Sequence, residues 1–294
     1  MKPKKEIIIE AVNLSKNYGS ARGINNINLQ VFDGEMFGFI GPNGAGKSTF
    51  IRTMLNFLFP TAGEIKIFGM DAVTDSSIIK ENIGYVPSEV NYYDYMRVID
   101  LLNFAASFHQ NVDLGRIDYL CKKFNLDKTR KISELSFGNK KKVSIVQALL
   151  HKPKLLILDE PTNGLDPLMQ KELFNTLKEA KKEGTTVFLS SHNLSEVERH
   201  CDRVGIIKEG IIVDIKDVSK INHNTIKKVV ITTSKKINLK VKGISNSYYA
   251  KHELHFRFSG NINELLMELS KYDVKDISIF PLTLEDDFLE YYGK

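Results

Sequence analysis

Two adjacent carboxylates, Asp159 and Glu160, end the aliphatic run LLIL in the stretch LLILDEPTNGLD at residues 155–166. Such a run reads as a buried strand, and carboxylates are costly to bury unless something compensates them. The compensation lies more than a hundred residues upstream, where residues 41–49 read GPNGAGKST. This stretch follows the apolar run Met36–Ile40 and precedes a helical pattern of Phe50, Ile51, Leu55 and Leu58. The spacing G-x-x-x-x-G-K-[ST] between a strand and a helix is that of a P-loop. Gly41, Gly44 and Gly46 let the backbone turn tightly, so that the loop of Gly41, Pro42, Asn43, Gly44, Ala45, Gly46, Lys47, Ser48 and Thr49 wraps phosphate, its N–H groups (Pro42 has none) converging on the oxygens. The helix N-terminus adds positive potential, Lys47 bridges the β- and γ-phosphates, and the Ser48 hydroxyl ligates Mg2+. Asp159, at the C-terminal end of its strand, faces the ligand crevice of an α/β sheet and can hold the same ion directly or through water. Glu160 is then placed to polarise the water that attacks the γ-phosphate. The chemistry that suits these groups is hydrolysis of a nucleoside triphosphate.

The elements that must position them alternate in type. Short apolar runs at Ile7–Val12, Ile27–Val31, Met36–Ile40, Glu64–Phe68, Leu155–Leu158, Thr186–Ser190 and Val204–Lys208 predict strands separated by helical patterns, as in an α/β domain with a largely parallel sheet. Between Asn91 and His151 helical periodicity takes over, with Ile117, Leu120, Cys121 and Phe124 at i, i+3, i+4, i+7. That stretch, about residues 90–151, predicts a helical subdomain. After about Lys220 the texture changes. Lys227–Thr233 and His252–Phe258 alternate as strands, with Leu254, Phe256 and Phe258 on one face. Ile262, Leu265, Leu266 and Leu269 form one helical stripe, and Asp276–Phe280 reads as a closing strand. The expected division is therefore 1–220 and a small α+β domain over 221–294. From Ile215 to Lys251 nine lysines accompany one acid, a pattern of a solvated sheet face.

Composition excludes several classes. Hydrophobic residues at 42% and charged residues at 26% are those of a globular protein, and no apolar run approaches the ~18 residues that span a bilayer. Glu6 and Glu10 interrupt the apolar stretch behind the basic N-terminus, which makes a poor signal peptide. Cys121 and Cys201 match no metal or disulfide spacing and read as reduced core thiols. A net charge of +5 is far from a nucleic-acid signature.

Five further stretches narrow the class. LSFGNKKK at 135–142 opens a helical run, LLILDEP carries the carboxylates, NGLD ends at Asp166, FLSSHNLSEVE carries His192 after a strand, and Tyr18 stands in NLSKNYGS. Their order and spacing over residues 5–215 resemble the nucleotide-binding domain of ATP-binding cassette (ABC) proteins. The resemblance implies a P-loop NTPase core of the ABC type, with ATP and Mg2+ as cofactors. It implies that Tyr18 stacks on adenine, that His192 is the switch histidine at the γ-phosphate, and that Asp166 lies at a dimer interface. Ser136 and Gly138 would belong to the signature loop that caps ATP bound to the opposite subunit; as residues opening a helix they also suit an anion on physical grounds. With one P-loop and one signature in this sequence, two copies are expected to meet head to tail around ATP.

Two departures from the family pattern stand out. Phe137 and Asn139 replace the first glycine and the glutamine of LSGGQ, while the serine and the key glycine remain. In IGYVPSEV, Ser88 stands where the family has a metal-holding glutamine, followed by Glu89. A serine hydroxyl would reach the metal only through water, and Glu89, one residue on, would face the other side of an extended segment. Both remain open as replacements. Together the motifs resemble the ATPase subunits of bacterial bacitracin-type and other ABC-2-type exporters. Such a chain works with a separately encoded transmembrane permease, on the cytoplasmic face of the membrane. A soluble ABC ATPase acting on nucleic acid or ribosomes, or a regulatory switch with a sensing C-terminal domain, is the alternative. The docking surface for a permease is expected in EVNYYDYMRVIDLLNFAASF, residues 89–108, where Tyr92, Tyr93, Tyr95 and Met96 cluster; packing into the subdomain's own core is the other reading.

Overall fold

A computed structural model describes residues 5–19, 21–109, 112–220, 226–281, 283 and 286. The chain divides into two compact units, Met1–Val218 and Ser219–Lys294. The first unit begins with strands β1 (Ile7–Tyr18), β2 (Ala21–Phe32) and β3 (Met36–Ile40), helix α1 (Lys47–Met54), strands β4 (Ala62–Ile67) and β5 (Met70–Asp71), helix α2 (Ser76–Lys80) and strand β6 (Ile83–Val86). Three helices follow, α3 (Val98–Ala106), α4 (Gly115–Lys123) and α5 (Phe137–Leu149). The unit closes with β7 (Leu155–Asp159), α6 (Pro167–Lys182), β8 (Thr186–Ser191), α7 (Leu194–His200), β9 (Arg203–Lys208) and β10 (Ile211–Asp217).

Two sheets result. One is antiparallel in the order β2-β1-β4-β5; the other runs β10-β9-β3-β8-β7-β6, parallel throughout except for the β9–β10 pair. Strands β3, β7 and β8 are buried along their whole length, as the uninterrupted apolar runs of a parallel sheet covered on both faces require. Beneath the P-loop, Phe39, Phe50 and Phe188 pack with ring centroids 5.2–5.8 Å apart, fastening α1 to β3 and β8. Helix α1 stops at Met54, because Asn56 takes left-handed backbone at φ 55°. Leu58 of the expected stripe therefore lies beyond the helix.

Strand β6 and the edge strand β10 extend the sheet beyond the expected runs. Among the described residues, the segment from Asn91 to His151 holds helices and one isolated bridge, Arg97–Lys131, but no strand. Ile117, Leu120, Cys121 and Phe124 are all buried. Both cysteines are free and buried, and burial pushes the Cys121 thiol up to about 11. None of the described helices is long and apolar enough to cross a membrane.

The second unit contains β11 (Lys227–Thr233), β12 (Ile244–Ala250), β13 (Glu253–Phe258), α8 (Ile262–Leu269) and β14 (Val274–Pro281), in one antiparallel sheet of order β12-β13-β11-β14. Leu254, Phe256 and Phe258 face its core with Val229, Ile231, Leu265 and Leu269. The helical stripe is narrower than expected: Ile262 is 40% exposed and Leu266 47% exposed. The tail after Pro281 lies outside the described residues, apart from Thr283 and Asp286.

Candidate functional site

The P-loop joins β3 to α1. Its last glycine, Gly46, is the N-cap of α1 at φ 110°, a left-handed conformation that a β-carbon would strain. A β-carbon at Gly46 would also lie 3.0 Å from Ile24 on β2, so the β1–β2 hairpin closes against the loop there. Helix α1 opens with Lys47, which is buried, and Ser48, which is half-buried. The Lys47 ammonium donates to the carbonyls of Gly41 at 2.7 Å and Pro42 at 3.2 Å.

Glu160 follows β7 with φ 49°, a conformation that non-glycine residues seldom adopt and that functional sites often carry. Its N–H donates to the Ser190 hydroxyl at 3.1 Å, and that hydroxyl donates to Asp159 Oδ1 at 2.6 Å. Ser190, on the neighbouring strand, thus ties the Asp159 carboxylate and the Glu160 backbone to the sheet. The Glu160 carboxylate sits between two side chains: Lys47 Nζ lies 3.2 Å from Oε1 as an ion pair, and His192 Nδ1 lies 2.7 Å from Oε2. Oε1 has no aligned hydrogen-bond donor.

These groups face one cavity of about 750 Å³. Its lining brings together Pro42, Asn43, Gly44, Gly46, Lys47, Ser48 and Thr49 with Glu160 and His192. Gly41, Ala45 and Asp159 lie buried behind that surface. Ser88, Glu89, Val90 and Asn91 form one wall, and Phe137 and Asn163 complete the lining. Ser88 and Glu89 sit in a bend after β6, so strand alternation no longer turns them to opposite sides, and both reach the cavity. Asn163 and Ser190 were not singled out in the sequence, and Phe137 only as a departure from the signature pattern. Phe137 stands in a glycine's place in the signature stretch, and the serine pair before His192 was the other available signal.

The remaining residues lie elsewhere. Tyr18 is not among the cavity's lining residues; it ends β1, 42% exposed, with the Lys16 ammonium 5.5 Å from its ring. Ser136 is the N-cap of α5, its hydroxyl accepting from Asn139 N at 3.3 Å. Gly138 touches the backbone of Gly164, where a β-carbon would fall 2.2 Å from the carbonyl oxygen. The Asp166 carboxylate caps α6, accepting from the Leu168 and Met169 N–H groups at 3.0 Å.

A buried lysine underlies the site. Lys141 on α5 has no exposed surface, and burial lowers its ammonium to about 8 against the opposing pull of Asp159 and Glu160.

A second cavity, of about 710 Å³, is largely apolar and adjoins the first at Asn91. Phe57, Tyr85, Tyr93, Phe104 and Phe108 line it. The tyrosine cluster divides. Tyr92 turns inward and donates to Gln147 Oε1 at 2.8 Å, while Tyr93 and Tyr95 are 63% and 77% exposed, their rings 6.0 Å apart.

A phosphate cradle after β3 of a parallel sheet, with a carboxylate pair at the end of β7, one strand removed, defines a P-loop ATPase. The ABC transporter family model matches residues 24–163. The chain is 34% identical to the bacitracin transport ATP-binding protein BcrA of Bacillus licheniformis, over 97% of each chain. Among solved structures it resembles an ATP-binding subunit of an ABC transporter, with a TM-score of 0.68 and 30% identity over 73% of this chain and 92% of that one. It also resembles the bacterial ABC transporter cassette MJ0796, solved as a dimer, with a TM-score of 0.66 and 25% identity over 72% and 99%. The chain belongs to the ABC transporter family, as an ATP-binding ATPase subunit.

The oxygen donors fit Mg2+. Ser48, Asp159 and Ser88 offer hydroxyl and carboxylate oxygens only, and the described residues contain no His, Cys or acidic cluster of a dedicated metal cage. That is the pattern of an ion held by one or two protein ligands together with phosphates. If Ser48 and Asp159 carry most of the protein's share, Ser88→Ala will shift the Mg2+ dependence of hydrolysis by no more than about twofold, and Ser88→Gln will be tolerated. A tenfold weaker Mg·ATP affinity in Ser88→Ala, about 1.4 kcal/mol, would instead assign the hydroxyl to the metal.

Proposed function

We propose that this chain is the ATP-hydrolysing motor subunit of an export system, in which closure of two copies around ATP drives a separately encoded permease. One observation carries the reading: the wall Ser88–Asn91 of the phosphate cavity continues directly into the aromatic groove at Tyr92 and Tyr93. A partner seated in that groove bears on the same short segment as the nucleotide. An apolar groove rimmed by exposed aromatics suits an amphipathic helix from the permease. The relative's printed role in bacitracin transport supports transport as the task, and export is the direction that the motif resemblance implies.

Within the site, Lys47 would engage the β- and γ-phosphates, and His192 the γ-phosphate. Both side chains would thereby turn from Glu160 towards the nucleotide, leaving its carboxylate to accept a proton from the attacking water. Ser48 and Asp159 would hold Mg2+ with the phosphates, where the ion neutralises charge. Ser136 and Gly138 do not line the chain's own cavity, which supports their use by a second copy. Tyr18 would meet adenine from the end of β1, in the hairpin whose Ile24 packs against Gly46. With docking onto a permease, the chain would sit on the cytoplasmic face of the membrane; no nucleic-acid partner is proposed.

Replacing Tyr93 and Tyr95 by alanine tests the coupling. Both rings are exposed, so melting temperature and basal ATPase activity are expected to stay close to wild type, surface changes costing within about 0.5 kcal/mol. Co-expressed with the permease, both variants should leave the membrane fraction. Variants that remain membrane-bound would move the docking surface elsewhere, and variants that unfold would return the tyrosines to the core.

A further inference from the structure

The signature helix and the Ser88–Asn91 wall are joined by one buried cation. Lys141 lies in the second turn of α5, five residues beyond the Ser136 cap, and its side chain has no solvent-exposed surface. Its ammonium donates to the carbonyls of Pro87 and Ser88, both at 2.8 Å. These carbonyls follow the last residue of β6, which among the described residues pairs only with β7, and the chain bends at Ser88 and Glu89. Regular ladder bonding has ended there, so Lys141 supplies the donors that this turn of backbone needs.

The position is costly to fill with a cation. A buried ammonium gives up its hydration, and an apolar side chain of similar volume is often no worse for the fold. What the lysine provides is two directed donors on a stem long enough to cross from α5 to the end of β6. Further bonds extend the same seam. Tyr92 donates to Gln147, Lys140 lies 3.3 Å from Asp94, and Ile132 N donates to Met96 O at 2.9 Å. From Pro87 to Met96 the cavity wall is therefore stitched to α5 and to the turn before it, and Lys141 is the stitch nearest the phosphate cradle.

We propose that Lys141 is a positioning residue for the Mg·ATP reaction, fixing the Ser88–Asn91 wall of the phosphate cavity against the helix that begins at Ser136–Gly138. It touches neither phosphate nor metal; it acts through the two carbonyls. The inference rests on the cavity being the Mg·ATP site, as proposed above.

The test uses the full chain with Lys141→Met, which keeps the bulk and loses the donors, and Lys141→Gln, whose amide retains two N–H groups. Outer-shell partners of this kind typically govern affinity or activity by about 10–100-fold. Lys141→Met should raise KM for Mg·ATP about tenfold with kcat changed less than about threefold, while a fluorescent ATP analogue binds as in wild type in EDTA. Lys141→Gln should restore KM to within about threefold of wild type. An unchanged KM in Lys141→Met would overturn the inference. So would a KM defect that glutamine fails to rescue, or an equal loss of nucleotide binding in EDTA. Should Lys141→Met not fold, Lys141→Gln decides alone: a tenfold rise in its KM removes the tether from the mechanism. A wild-type chain that does not hydrolyse Mg·ATP would count against the cavity's assignment itself, a separate outcome.

Discussion

Glu160→Gln is expected to lower ATP turnover by ~10²–10⁴-fold, the range general bases contribute, while ATP binding is retained. The amide keeps the size of the side chain and its place after β7, where the backbone N–H is held by the Ser190 hydroxyl at 3.1 Å. It loses the negative charge that lies 3.2 Å from Lys47 and 2.7 Å from His192. Lys47 and His192 would then meet no competing anion when phosphate arrives, so nucleotide affinity should hold or rise. With closure no longer ended by hydrolysis, the variant should run on a sizing column as an ATP-dependent dimer. Near-normal turnover in steady-state assays would remove Glu160 from the chemistry. A monomer at saturating ATP would count against the two-copy site.

The second large effect is expected at Gly138. A β-carbon there would lie 2.2 Å from the Gly164 carbonyl oxygen, and one at Gly164 would lie 2.4 Å from the Phe137 ring. The start of α5 and the turn four residues past Glu160 thus meet backbone to backbone, a contact only glycine permits. Gly138→Ala must push the two apart, and overpacking of this kind costs about 1–3 kcal/mol. The larger consequence is positional. Displacing the Gly164 turn moves Phe137 and Asn163, both of which line the phosphate cavity. Turnover should fall at least about tenfold, equivalent to ~1.4 kcal/mol of barrier, at temperatures well below the melting transition. Wild-type turnover combined with an unchanged melting curve would show that the turn yields without cost.

The two predictions draw on different kinds of information. That Glu160, Lys47, Ser48 and His192 share one cavity was legible in the chain because their motifs are encoded locally. A P-loop needs its glycines and lysine at fixed offsets, and a catalytic carboxylate follows a strand whose apolar run announces it. Buried parallel strands are legible for the same reason, since they are apolar on both faces; β3, β7 and β8 match their runs to within a residue. Strands β10 and β12 lie at sheet edges, where one side of the ladder is unpaired and solvent removes the need for a continuous apolar pattern. Their residues carry little signal.

The helical stripe on α8 shows the converse limit. Ile262, Leu265, Leu266 and Leu269 share a period, yet the sheet buries only Leu265 and Leu269. Periodicity tells which residues share a face; the width of the surface opposite tells how many of them are covered.

What the sequence by itself determined is therefore which residues of the P-loop, β7 and β8 segments meet at one cavity, the parallel core beneath it and the family. The tertiary structure alone decided how the tyrosines divide, with Tyr92 bonded to α5 and Tyr93 and Tyr95 left outside. It alone decided that Glu89 reaches the cavity beside Ser88, that Gly138 meets Gly164, and that Lys141 crosses to Pro87 and Ser88. Each of these depends on contacts between segments 26 to 55 residues apart in the chain or on a bend that breaks local alternation. No spacing rule records such contacts, because the partner of a buried donor is set by which backbone the fold brings to it.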